Sequence, residues 1–239
     1  DEPGGKITAK SIERTLDGFI RGEHDPKPAA ISITQASEIG TVYAPAEIAA
    51  IAELARRRGL RLHMDGARFA NALVSLAVTP AETTWKAGVD AMSVGATKNG
   101  AMALEAVVFF DQALAEDFRY RRMRAGQLLS KGRFLGAQML AYLDGDLWLD
   151  NARHANAMAQ RLAKGVAASS RARLALPAEA NEVFAVIPQG LHDELARAGV
   201  VYHQWPGTAH PGPGEILARF VASYLTNPDD VDRLIELLG

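Results

Sequence analysis

Residues 61–110, which run from RLHMDGARFANAL to DAMSVGATKNGAMALEAVVFF, constrain this chain more than any other stretch. They read as a short apolar strand ending in an acid, a helical connection, a second strand, a loop with one lysine, and a third strand. Upstream, AAISIT (29–34) is another β-rich run. From Pro45 onward, Ile48, Ile51, Ala52 and Ala55 recur at helical steps. Pro45 suits the first turn of that helix, Arg56 to Arg58 its negative end, and Gly59 its stop. Strands alternating with helices in this order predict α/β layers around a mostly parallel sheet.

In such a sheet ligands bind outside the C-terminal strand ends. The pattern puts Asp65 at the end of the first of these strands and Lys98 just past the second, 33 positions later. A carboxylate beside a ring nitrogen favours the protonated form, and an amine on a short loop between strands can hold an aldehyde covalently. Together they point to pyridoxal phosphate. Each residue also has a plainer use: an Asp closing a strand can cap the helix that follows, and a loop lysine can be a solvated charge.

Arginines supply a third part, because the guanidinium fork suits a substrate carboxylate. Arg68, three residues past Asp65, is expected on the same helical face. Arg219 is an ionisable residue inside the apolar run ILARFVASY, where alternation also permits an outward-facing position. His24, on the loop entering the 29–34 strand, is a candidate acid or base for the strand-end crevice. His63, His203 and His210 lack tight ligand spacing, so no metal is expected. There is no dinucleotide fingerprint, P-loop or Gly-x-Ser-x-Gly elbow.

The remainder bounds the setting. EAVVFF (105–110) is expected to be a buried strand, followed by helices over 112–124 and from 128 to about 169, the second broken near Gly145. The tail alternates again: EVFAVI (182–187), LHDELARAG (191–199), VVYHQW (200–205), ILARFVASY (216–224) and DDVDRLIELL (229–238). These elements predict a large domain over 1–145, and a bridging helix with a smaller α/β domain over 146–239. With 26 basic and 28 acidic residues, no footprint for nucleic acid or an anionic membrane is expected. No run reaches membrane-spanning length. Zero cysteines exclude disulfides, thiolate metal sites and a cysteine nucleophile, and fit a cytoplasmic location.

HMDGARFANAL, TPAETTWKAGVDAMSVGATKNG and LAEDFRYRRMRAGQLLSKGRFLGAQ, with SITQASEIGTVY upstream and ARFVASYLTNPDDVD downstream, resemble the low-specificity L-threonine aldolase family over nearly the whole chain. The resemblance implies pyridoxal phosphate, an aminotransferase-like fold, and cleavage of threonine, allo-threonine and related β-hydroxy-α-amino acids to glycine and an aldehyde. It implies that Lys98 is the Schiff-base lysine and Asp65 the partner of the pyridine nitrogen. Arg68 and Arg219 would bind the substrate carboxylate, and His24 would lie near the substrate hydroxyl. It further implies a homo-oligomer, a dimer or tetramer. Family members begin upstream of Asp1, so an N-terminal part is expected to be missing, with its phosphate-binding turn, ring-stacking histidine and a serine. The alternatives are another enzyme of this fold, an aminotransferase or β-eliminating lyase, or a non-catalytic form unable to bind cofactor.

Overall fold

The computed structural model describes residues 3–206 and 211–239. Helix α1 (Ala9–Asp17) opens with a reciprocal cap between Thr8 and Ser11 and ends at Gly18. A first sheet then forms from β1 (Ala30–Thr34), β2 (Arg61–Gly66), β3 (Ala91–Gly95) and β4 (Glu105–Phe109), in that order. The first three strands are parallel, and β4 runs antiparallel at the edge. Helix α2 (Pro45–Arg57) connects β1 to β2, and α3 (Phe69–Leu76) leads from β2 toward β3.

Alternation divides the two faces of this sheet. Ile31, Ile33, Leu62, Met64 and Met92 pack with Ile48, Ile51 and Leu54 of α2 into one core. Ser32, His63, Asp65 and Ser93 occupy the other face and are only partly covered. On that face His63 Nδ1 is 2.8 Å from the Ser32 hydroxyl. The expectation of a buried strand at 105–110 is not met among the described residues: Glu105, Val107 and Val108 are exposed, and β4 is the last described strand of this sheet.

After β4 a 3-10 turn (Gln112–Ala115) precedes α4 (Phe118–Arg124), where the sequence pattern reads as one helix. Helix α5 (Arg133–Leu143) ends at the Asp144–Asp146 turn, in which Gly145 takes a left-handed conformation (φ 55°), the break its glycine signals. Helix α6 (Leu147–Ala168) follows; its 22 residues extend for about 33 Å.

The second sheet has the order β5 (Arg173–Leu174), β6 (Glu182–Pro188), β8 (Glu215–Val221), β7 (His203–Gln204), and every pairing in it is antiparallel. Helices α7 (Gln189–Arg197) and α8 (Pro228–Leu238) complete the layer. The VVYHQW run yields only a two-residue strand. Val183, Ala185 and Ile187 face Met158, Leu162 and Val166 of α6 and Val231 of α8, whereas Phe184 and Val186 pack with Ile39 and Leu217.

Helix α6 ties the two sheets together. Asn156 and Asn71 of α3 exchange buried amide hydrogen bonds of 3.0 and 2.9 Å, and Asn151 donates to the Asn99 carbonyl beyond β3. At its far end Gly165 lies against Ile235 of α8, where an added Cβ would come within 2.4 Å of Ile235 Cγ1.

Candidate active site

The C-terminal ends of β1, β2 and β3 lie at one sheet edge, with Thr34 opposite Asp65 and Asp65 opposite Ser93. Asp65 Oδ1 accepts from the Ala67 backbone N–H at 2.9 Å and from the Ser93 hydroxyl at 3.4 Å. The carboxylate therefore caps the turn after β2 and is oriented by both contacts. That turn touches the end of β3: a Cβ on Gly95 would sit 3.1 Å from Ala67 Cα. Lys98 follows three residues later in the Thr97–Asn99 turn. The fold thus brings the acid's turn and the lysine's loop together across one pair of parallel strands.

The lysine loop is held on all sides except at the lysine. Leu104 N–H donates to the Thr97 hydroxyl at 2.9 Å, and Ala96 N–H donates to the Leu104 carbonyl at 3.0 Å. Asn99, buried, donates to Tyr142 Oη at 2.7 Å and to the Trp148 carbonyl at 2.8 Å. Burial pushes the Tyr142 hydroxyl above its ordinary pKa, opposed by the Asn99 hydrogen bond, so it stays neutral as an acceptor. Lys98 itself is exposed and has no hydrogen bond or ion pair among the described residues. Gly100 closes the loop at φ 120°, with the Asn151 amide nitrogen 2.7 Å from where a Cβ would stand. Gly100→Ala is therefore expected to cost about 1–3 kcal/mol and to lower activity with it; an unchanged urea midpoint and unchanged turnover would show that the loop tolerates a side chain there.

Arg68 does not share a helical face with Asp65. It lies in the turn between β2 and α3 (φ −127°, ψ 33°), because β2 continues to Gly66 and helical geometry starts only at Phe69. The turn nevertheless carries its guanidinium toward the second sheet, where Nη2 is 3.2 Å from Glu182 Oε1. Arg219 reaches the same oxygen: its Nε donates at 2.9 Å and its Nη2 also contacts it. Its guanidinium also stacks over the Trp205 ring, 4.5 Å from the centroid. Arg219 occupies a β8 position two residues from the inward Leu217, and its side chain is only 12% exposed, so the outward-facing reading does not hold. Residues 151 positions apart in sequence thus converge on one carboxylate.

His24 is not brought to this edge. It is exposed, in a short 3-10 turn (Gly22–His24) that leads into the N-terminal end of β1. Asp17 at the end of α1 pairs with Arg58 at the end of α2, beside the start of β2. This path fixes the 18–29 segment at the sheet edge opposite Asp65. Among the other histidines, His203 is exposed in β7, and His210 lies outside the described residues. Among the described residues no three His, Cys, Asp or Glu side chains group to hold a metal.

Two elements are not singled out by the sequence reading. Glu182, at the head of EVFAVI, is fully buried. The 35–43 loop leaves β1 at the same edge: Gln35 N–H donates to the Asp65 carbonyl, and the Gln35 amide bridges both backbone groups of Tyr43 at 2.9 Å. Within it Gly40 (φ 78°) lies against Glu182, where a Cβ would come within 3.1 Å of the Glu182 Cβ. An acid opening an otherwise apolar strand is the same kind of signal that singles out Arg219.

A carboxylate and an amine at one strand-end edge, with one arginine from the turn after β2 paired to another from the second sheet, define the layout of aminotransferase-like pyridoxal-phosphate enzymes. The beta-eliminating lyase family model matches residues 1–189, and the chain belongs to that family. It is 44% identical over 231 residues to a low specificity L-threonine aldolase of Pseudomonas sp. (strain NCIMB 10558), covering 97% of this chain and 64% of that protein. A Pseudomonas aeruginosa protein of the same name is 44% identical over 233 residues, covering 98% of this chain and 64% of that one. The solved threonine aldolase of Leishmania major superposes with a TM-score of 0.91 at 30% identity, covering 99% of this chain and 68% of that structure. The chain therefore spans a little under two thirds of the length of the curated relatives it matches.

The family implies pyridoxal phosphate, and the residues present fit its ring and aldehyde. Asp65 keeps Oδ2 clear of the two contacts that orient Oδ1, and Lys98 is a free amine on a held loop.

Proposed function

We propose that this chain carries the pyridoxal-phosphate site of an aldolase that splits L-threonine, L-allo-threonine and related β-hydroxy-α-amino acids into glycine and an aldehyde. The observation that carries the reading is the contact of the Asp65 turn with the end of β3, three residues before Lys98. The 44% identity to two named threonine aldolases supports the choice of substrate.

When bound, pyridoxal phosphate supplies an electron sink for the charge left at the substrate's α-carbon. Lys98 Nζ would be the amine that holds the cofactor's aldehyde, and as a free amine it could return a proton to Cα. Asp65 would favour a proton at the ring nitrogen, since a carboxylate beside that nitrogen stabilises its charged form. Arg68 and Arg219 fix the α-carboxylate, and a fixed carboxylate decides which bond at Cα is broken. His24 is given no role in this reading, because its turn precedes the N-terminal end of β1.

The test is product analysis with the full-length enzyme. Acetaldehyde and glycine from threonine are expected; ammonia with 2-oxobutanoate would mark a β-eliminating lyase instead, and a keto acid formed only with an amino acceptor would mark an aminotransferase. Arg219→Ala is expected to raise KM for threonine about tenfold or more, on the scale of a lost charged hydrogen bond, with cofactor binding little changed. An unchanged KM would remove Arg219 from the substrate site.

The division into a cofactor-side unit over 1–145 and a second unit over 146–239 belongs to the same reading. So does association into a dimer or tetramer, supported by exposed apolar side chains at Tyr120, Met123, Phe134 and Leu140 of α4 and α5. No helix among the described residues is long and apolar enough to cross a membrane. The absence of cysteines suits the reducing cytoplasm proposed as its location.

A further inference from the structure

Glu182 is costly to the fold in a way that ion pairing alone does not explain. Its side chain is wholly buried; Oε1 takes every contact from Arg68 and Arg219, while Oε2 has no hydrogen-bond partner among the described residues. A buried, unpaired carboxylate oxygen is unfavourable, and such groups persist where something else requires them. Two guanidiniums brought this close would repel one another without an anion between them. With Glu182 present, two positive charges and one negative leave a single positive charge.

We infer that Glu182 is a specificity-determining positioning residue: it holds Arg68 and Arg219 as a pair and removes one of their two charges. The site then accepts amino acids with one carboxylate and turns away those with a second on Cβ. This rests on the reading that the two arginines receive the substrate α-carboxylate. Both guanidiniums spend one edge on Oε1, and Arg219 is fixed in addition by Trp205. Their remaining N–H groups are pre-set for one further anion, so the substrate meets an ordered fork. A second carboxylate would meet no uncompensated positive charge and would approach the buried Oε2.

The experiment compares the full-length, cofactor-loaded enzyme with its Glu182→Gln, Glu182→Asp and Arg219→Ala variants. Two ratios are measured: kcat/KM for 3-hydroxyaspartate against threonine, and, by titration calorimetry, the affinity for malonate against acetate. Glu182→Gln adds one positive charge and is expected to raise both ratios about tenfold or more, the scale of one unit charge at short range in a partly buried site. Arg219→Ala subtracts one and is expected to lower both. Glu182→Asp keeps the charge but withdraws it, so the ratios stay near wild type while KM rises for both substrates. Should Glu182→Gln fail to fold, the other two variants still decide. Ratios unmoved by Arg219→Ala, or moved by Glu182→Asp as by a loss of charge, overturn the inference. A wild-type enzyme that releases no acetaldehyde from threonine would overturn the proposed activity instead, leaving the malonate-to-acetate ratio as a test of the charge count.

Discussion

Lys98→Ala is expected to reduce acetaldehyde release from threonine by at least about three orders of magnitude, the scale seen when a covalent catalyst's nucleophile is removed. Stability should change by no more than about 0.5 kcal/mol, as for an exposed side chain with no structural partner. The two expectations separate because of how the loop is built. Thr97, Asn99 and Gly100 carry its contacts to Leu104, Tyr142, Trp148 and Asn151, and Lys98 carries none among the described residues. Truncation therefore takes away an amine and leaves the support standing. The visible absorbance of bound cofactor should be lost with the activity, while the melting curve stays in place. Normal turnover in this variant would end the assignment of Lys98, and loss of activity with a collapsed melting curve would make it a structural residue.

Residue chemistry showed the first sheet almost whole. The alternation in AISIT, LHMDG and AMSVG, punctuated by helical repeats and glycine stops, marks three strands whose ends converge, and Asp65 and Lys98 follow from those ends. What stayed hidden depends on contacts between distant segments. EAVVFF is as apolar as a central strand, and only the antiparallel pairing with β3 reveals it as an exposed edge. DGARFANAL is helical in pattern and puts Arg68 on a helix, whereas strand pairing holds Gly66 against Val94 and delays the helix to Phe69. A Cβ at Gly66 would lie 2.4 Å from the Ser93 carbonyl, which is why that pairing can run so far. Proximity in sequence to a strand does not say which end of the strand is meant, and the turn that carries His24 precedes the N-terminal end of β1. Glu182 was passed over because nothing local says that the face of β6 it shares with Phe184 looks toward Ile39 and the first sheet.

Asp65→Asn is expected to lower kcat for threonine about a hundredfold, on the scale at which one preorganised group acts on charge developing in the transition state, with KM little altered. The substitution separates two roles that coexist in the wild-type side chain. As a cap, Asp65 needs only an oxygen to accept from the Ala67 N–H and the Ser93 hydroxyl, and an asparagine oxygen does this nearly as well. As the partner of a ring nitrogen it needs its charge, because only an anion favours the protonated ring. Asparagine keeps the turn, hence the contact of Ala67 with the end of β3 and the setting of Lys98, and removes only the charge. KM should hold because the proposed function gives the substrate carboxylate to Arg68 and Arg219, not to Asp65. Full activity in Asp65→Asn would leave Asp65 as a turn cap and nothing more. A raised KM at constant kcat would place it instead with the groups that bind substrate.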